Sequence, residues 1–183
     1  MKVLFIGDIV GRSGRRAVAN LLPELANEYS WDLCIANAEN AAGGKGITPA
    51  IAEELLAYGI DVLTMGNHTW DNKDIFQFID SAPYLVRPAN YPIEVPGQGY
   101  TVVEKKGKKI AVLNLSGQVF MGPMDCPFAK ADQLISSLSD CDHIFIDFHA
   151  EATAEKVGFA RYVDGRAAAV VGTHTHIQTA DEQ

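Results

Sequence analysis

Three short, uninterrupted apolar runs, at residues 3–6, 33–36 and 62–65, alternate with helical patterns, and this alternation constrains the fold more than any other feature. A run that is apolar at every position suits a strand buried on both faces. The first run leads through a loop with Gly11, Ser13 and Gly14 into a helical pattern over 15–29, which Pro23 is expected to break into two pieces. The second leads into a glycine-rich loop at 41–46. There Thr48 is placed to cap a helix that has Pro49 at its first position and ends before Gly59. A short helix is expected over 74–79 after the third run. Successive strand–helix units predict a parallel sheet with crossover connections.

Beyond residue 84 the pattern changes. Residues 84–99 are rich in proline and turn formers and read as a long irregular connection. Residues 100–104 and 110–115, joined by a lysine- and glycine-containing turn, read as a β-hairpin that begins a second sheet. A helix over 130–138, a strand over 144–148, a helix over 153–162 and a strand over 167–171 complete the expected order. The 183 residues are 48% hydrophobic, enough for one domain with a sizeable core.

The chemistry sits where the apolar runs end. Gly7-Asp8, Glu39-Asn40, Gly66-Asn67-His68, His149 and Gly172-Thr173-His174-Thr175-His176 each close such a run. In a sheet protein, residues at strand ends converge on one edge, so these oxygen and imidazole groups describe one polar pocket suited to a pair of divalent metal ions. Each cluster alone has a plainer reading. Asp8 is also a reasonable helix N-cap, Glu39-Asn40 loop polarity, Asn67 a capping residue in a turn, and His149 a structural histidine. Asp147 and Glu151 stand close enough in sequence to orient the His149 imidazole. The final motif is the most specific, because residues i and i+2 of an extended segment share a face and bring His174 and His176 to one site.

Other functions are disfavoured. The net charge is −8 with no basic stripe, so extended nucleic-acid binding is not expected. Three widely spaced cysteines without a CxxC argue against a disulfide framework or a structural zinc site and for a reducing cytoplasm. No apolar stretch suits a signal peptide or a membrane span. Residues 41–46 lack the GxxxxGK[ST] phosphate cradle, and no GxSxG elbow occurs. The arginines at 12, 15 and 16 suit either phosphate contact or a solvated helix start.

Taken together, the motifs match the calcineurin-like metallophosphoesterases. More closely, the segments 7–12, 37–44, 66–71 and 172–181 resemble the YmdB-like bacterial branch, over the whole length of the chain. Two departures from the broad superfamily, Val10 in place of a histidine and Glu39 in place of a bridging aspartate, are typical of that branch. The resemblance implies an α/β sandwich of two β-sheets flanked by helices, in a single metallophosphoesterase domain over 1–183. Members of the branch generally continue past the final histidine motif, so the domain is expected to be incomplete at its C-terminus, lacking strands of the second sheet. The resemblance further implies one metal held by Asp8, Glu39, Asn40 and His176 and another by Glu39, Asn67, His149 and His174. Glu39 would bridge the two, and Asn40 would fill the place of the missing histidine. A nitrogen and oxygen shell without thiolates favours Mn²⁺ or Fe, with Zn²⁺ also able to occupy it. His68 is the expected catalytic residue, stabilising transition-state charge or protonating the leaving alkoxide after attack by a metal-bridging hydroxide.

The activity so implied is a cytoplasmic phosphodiesterase acting on cyclic nucleotides, 2′,3′-cyclic forms first, with a small phosphodiester as partner, no membrane, and a homo-oligomeric state. The alternatives are a phosphomonoesterase or 5′-nucleotidase with the same metals, or a regulatory protein with a vestigial metal site. The complete ligand set together with His68 argues against the last.

Overall fold

The structure, a computed structural model, describes residues 1–183. Two four-stranded sheets lie face to face and helices cover their outer surfaces. The first sheet is parallel throughout, in the order β1 (Val3–Ile6), β2 (Leu33–Asn37), β3 (Val62–Thr64), β4 (Leu85–Val86). The second has the order β5 (Tyr100–Lys105), β6 (Lys108–Ser116), β7 (His143–His149), β8 (Ala169–Thr173). Its β5–β6 hairpin is antiparallel and its other pairs are parallel. This is the two-sheet sandwich that the motifs implied, and the hairpin does open the second sheet.

Three apolar clusters hold the layers together. Helices α1 (Gly11–Glu28) and α2 (Pro49–Ala57) bury Val18, Leu22, Ala52 and Leu55 against Cys34, Ala36 and Leu63 of the first sheet. Helices α3 (Pro127–Ser137) and α4 (Thr153–Val163) bury Ala131, Phe159 and Val163 against the second, where Phe148 and Phe159 stack at 4.1 Å. Between the sheets lie Leu33, Ile35, Val62, Ile110, Val112 and Phe145. Both faces of β2 are therefore covered, and all five of its residues are buried. No helix is long and apolar enough to cross a membrane.

Four expectations change. Helix α1 starts at Gly11, where a loop was expected, and runs unbroken through Pro23. Val18 and Leu22, one turn apart, anchor it to the sheet on the turn before the proline, so packing outweighs the one missing hydrogen bond. β1 is an edge strand with a part-exposed face, because only β2 pairs with it. The short helix after β3 is of 3₁₀ type, Lys73–Gln77, followed by a second turn at Ile79–Ser81. Within the connection read as irregular, Leu85 and Val86 form β4. The Thr48 cap is as expected, its hydroxyl accepting from the Ile51 N–H at 3.3 Å with Pro49 opening the helix.

Candidate metal centre

The C-terminal ends of β1, β2, β3, β7 and β8 meet along one rim of the sandwich. Asp8 follows β1, Glu39 and Asn40 follow β2, Asn67 and His68 follow β3, His149 ends β7, and His174 and His176 follow β8. The structure brings seven of the eight predicted side chains together there, and His68 joins them through its backbone N–H, which donates to Glu39 Oε2. At the centre is the buried His149, whose Nε2 lies 3.0 Å from Glu39 Oε1, 2.9 Å from Asn67 Oδ1 and 3.1 Å from His174 Nδ1. Beside it, Asn40 Nδ2 is 3.2 Å from Glu39 Oε1 and 3.3 Å from His176 Nε2. His176 Nε2 is in turn 3.5 Å from Asp8 Oδ1. Glu39 thus belongs to both halves of the cluster.

Several features fit a cation. One ring nitrogen with at most one proton cannot serve the three polar atoms around His149 Nε2, whereas a metal ion can. Ligand atoms of Glu39, His149 and His174 all lie within 4.8 Å of one another. Asp8 Oδ1 is buried with no hydrogen-bond partner, a costly state that a bound ion relieves. The donors are oxygens and imidazoles only, as hard or borderline divalent ions require.

Charge within the cluster is strongly coupled. Burial alone would raise the Glu39 carboxyl, but the hydrogen bond and charge of His149, with the His68 backbone N–H, outweigh it and hold the group below its ordinary range. Burial likewise disfavours the charged His149 ring, yet Glu39 more than compensates and the ring is raised. His174 is lowered by burial and then by the charge of His149.

Local backbone shapes the site. The final motif is not the extended segment expected. β8 ends at Thr173, and His174 and His176 take φ values of 101° and 55°, in the left-handed region that non-glycine residues rarely adopt. The two histidines therefore diverge, His174 toward His149 and His176 toward Asp8, while the His174 N–H donates to Asp8 Oδ2 at 3.1 Å. Gly66 leaves the space that Glu39 and His149 occupy. A Cβ there would stand 2.4 Å from Glu39 Oε2 and 2.4 Å from His149 Nε2. Gly66→Ala is expected to displace both groups, costing about 1–3 kcal/mol of stability by overpacking and most of the metal content. Thermal melts and metal analysis of the purified variant check this.

One orienting expectation is corrected, and the other takes an indirect route. Glu151 meets His174, not His149, with Oε2 2.9 Å from His174 Nε2. Asp147 reaches His149 only through Thr173. Arg15 is occupied by Glu54 and by the Ala41 carbonyl, which leaves it structural. Asp71, three residues after His68, carried no expected role, although its Oδ2 is 2.7 Å from His68 Nδ1. The i, i+3 spacing in a turn is the only sequence signal for that pairing.

The profile of a family described as "YmdB-like protein" matches residues 4–183. The chain belongs to the YmdB-like family. Among its relatives is a 2′,3′-cyclic-nucleotide 2′-phosphodiesterase of Bacillus subtilis (strain 168), 55% identical over 184 residues, which cover all of this chain and 70% of the relative. A hypothetical protein from Thermus thermophilus superposes with a TM-score of 0.94 at 43% identity, covering 100% of this chain and 71% of the other. A Mycoplasma pneumoniae protein described as a novel phosphatase superposes at 0.93 with 39% identity, covering 99% of this chain and 66% of its own length. The chain therefore spans about two thirds of the length of these proteins.

Proposed function

We propose that this chain carries the dimetal centre of a phosphodiesterase whose substrates are 2′,3′-cyclic nucleotides. The observation that carries the reading is the convergence of seven potential ligands on one rim with Glu39 common to both halves. Asp8, Glu39, Asn40 and His176 would hold one ion, and Glu39, Asn67, His149 and His174 the other. Bound divalent ions supply positive charge for the phosphoryl oxygens and make water acidic enough to serve as a nucleophile near neutral pH.

The protein side of the reaction follows from the arrangement. Glu39, fully buried, brings a negative charge between the two halves and offsets repulsion between cations. Its Oε2 accepts from the His68 N–H at 2.9 Å, so the same carboxylate fixes the backbone on which His68 stands. Asp71 holds the His68 ring by Nδ1 and leaves Nε2 to meet the substrate. In its doubly protonated form, with Nδ1–H donated to Asp71, His68 would give its Nε2 proton to the departing alkoxide oxygen and be left as the neutral ring. Mn²⁺ or Fe suits the donor set, with Zn²⁺ an acceptable substitute.

The cyclic-nucleotide specificity rests on the Bacillus subtilis relative, whose name states that activity. Turnover of bis-p-nitrophenyl phosphate and of p-nitrophenyl phosphate, each with Mn²⁺, separates diesterase from monoesterase. The diester is expected to be the better substrate, and 2′,3′-cyclic AMP is expected to open to a monoester. Preference for the monoester would contradict the proposal.

A further inference from the structure

Lys156, near the start of α4, is half-buried and lies outside the proposed ligand set. Its Nζ makes one hydrogen bond, donating to Thr175 Oγ1 at 3.3 Å, and forms no ion pair. Burial pushes the ammonium below its ordinary range, against the charge of Asp8, Glu151 and Asp147. The stem runs over β8 at Gly172, where a Cβ would stand 3.0 Å from Lys156 Cδ and 3.3 Å from Cε. Glycine at that position opens the path by which Nζ reaches Thr175.

Thr175 separates His174 from His176, the two proposed ligands with left-handed φ. Residues other than glycine stay in that region only where surrounding contacts hold them there. One such contact stands at the start of the turn, where the His174 N–H donates to Asp8 Oδ2 at 3.1 Å. The next comes from α4. We propose that Lys156 is a positioning residue that holds the His174-Thr175-His176 turn through the Thr175 hydroxyl, and so fixes both imidazoles in the candidate metal centre. The same stretch of chain grips the rim at two further points. Glu155 accepts from the Gln118 and Val119 N–H groups at 2.8 and 3.2 Å, and Glu151, just before the helix, meets His174 Nε2 at 2.9 Å. Because α4 packs Phe159 and Val163 into the core of the second sheet, it is a rigid base for these contacts. The bond needs only a hydrogen on Nζ, which ammonium and amine both supply, so it does not depend on the protonation of Lys156.

Lys156→Met keeps an apolar stem over Gly172 and removes the donor, and Thr175→Val removes the acceptor at nearly constant shape. The consequence for metal binding rests on the dimetal reading; the hold on the turn does not. In the metal-free full chain, hydrogen exchange at the His174 amide is expected to run about 10-fold faster in both variants and at the wild-type rate in Thr175→Ser. In Mn²⁺ titration calorimetry both variants are expected to bind about 10-fold more weakly, and Thr175→Ser to bind as the wild type does. The double variant should be no weaker than either single one, because both remove the same bond. Wild-type exchange or wild-type Mn²⁺ affinity in Lys156→Met and Thr175→Val overturns the proposal. So do equal losses in Thr175→Ser and Thr175→Val, or additive losses in the double variant. If one single variant does not fold, the other removes the same bond and decides the matter. Faster exchange in the variants of a chain that binds no Mn²⁺ would contradict the dimetal reading and leave the brace standing.

Discussion

Glu39→Gln is expected to lose metal and turnover together. The side chain is buried at the meeting point of both halves of the cluster, with Oε1 facing His149 Nε2 at 3.0 Å and Asn40 at 3.2 Å. Glutamine keeps the volume but removes the one charge that both ions would share. Two cations side by side then repel without a screen, and the neutral amide offers a single good ligand oxygen. Metal content should fall from two ions per chain to one or none. Loss of a cation that would stabilise transition-state charge should lower kcat by about 10²–10³-fold or more. Inductively coupled plasma analysis and diesterase assays on the same preparation read both effects. A variant with wild-type metal content and turnover would count heavily against the shared-carboxylate arrangement.

The second large effect separates holding metal from moving protons. His68→Ala removes a ring whose hydrogen-bond partner is Asp71, while the residue's backbone N–H donates to Glu39. Alanine keeps that N–H, so metal content should stay at the wild-type level while kcat falls by about 10²–10⁴-fold, the usual range for a lost general acid. The loss should be smaller for p-nitrophenolate, which leaves without a proton, than for the alkoxide of a cyclic nucleotide. Loss of both metals in this variant would show that His68 is a ligand and not the acid.

Much of this could be read from the chain because each proposed ligand lies just past, or at, the end of an apolar run. Short runs such as 33–36 suit buried strands, and the ends of β1–β3 and of β7–β8 meet where the two sheets stack. The same reasoning failed where local pattern and packing disagree. Pro23 reads as a helix break, but Val18 and Leu22 bury the turn before it. Leu85-Val86 is too short, and too close to Pro83 and Pro88, to signal a strand, yet β3 pairs with it. The left-handed turn at His174 and His176 has no glycine to announce it. The hydrogen bond from Asn37 to Asp147 was the least legible, since the two residues are 110 positions apart and meet only when the two sheets stack.

The most direct test is anomalous scattering at the Mn and Fe edges from crystals of the metal-loaded chain. Two peaks roughly 3.5–4 Å apart with the Glu39 carboxylate between them are expected. One should be bounded by Asp8, Asn40 and His176, the other by Asn67, His149 and His174. A single peak, or metal bound away from Glu39, would contradict the dimetal centre.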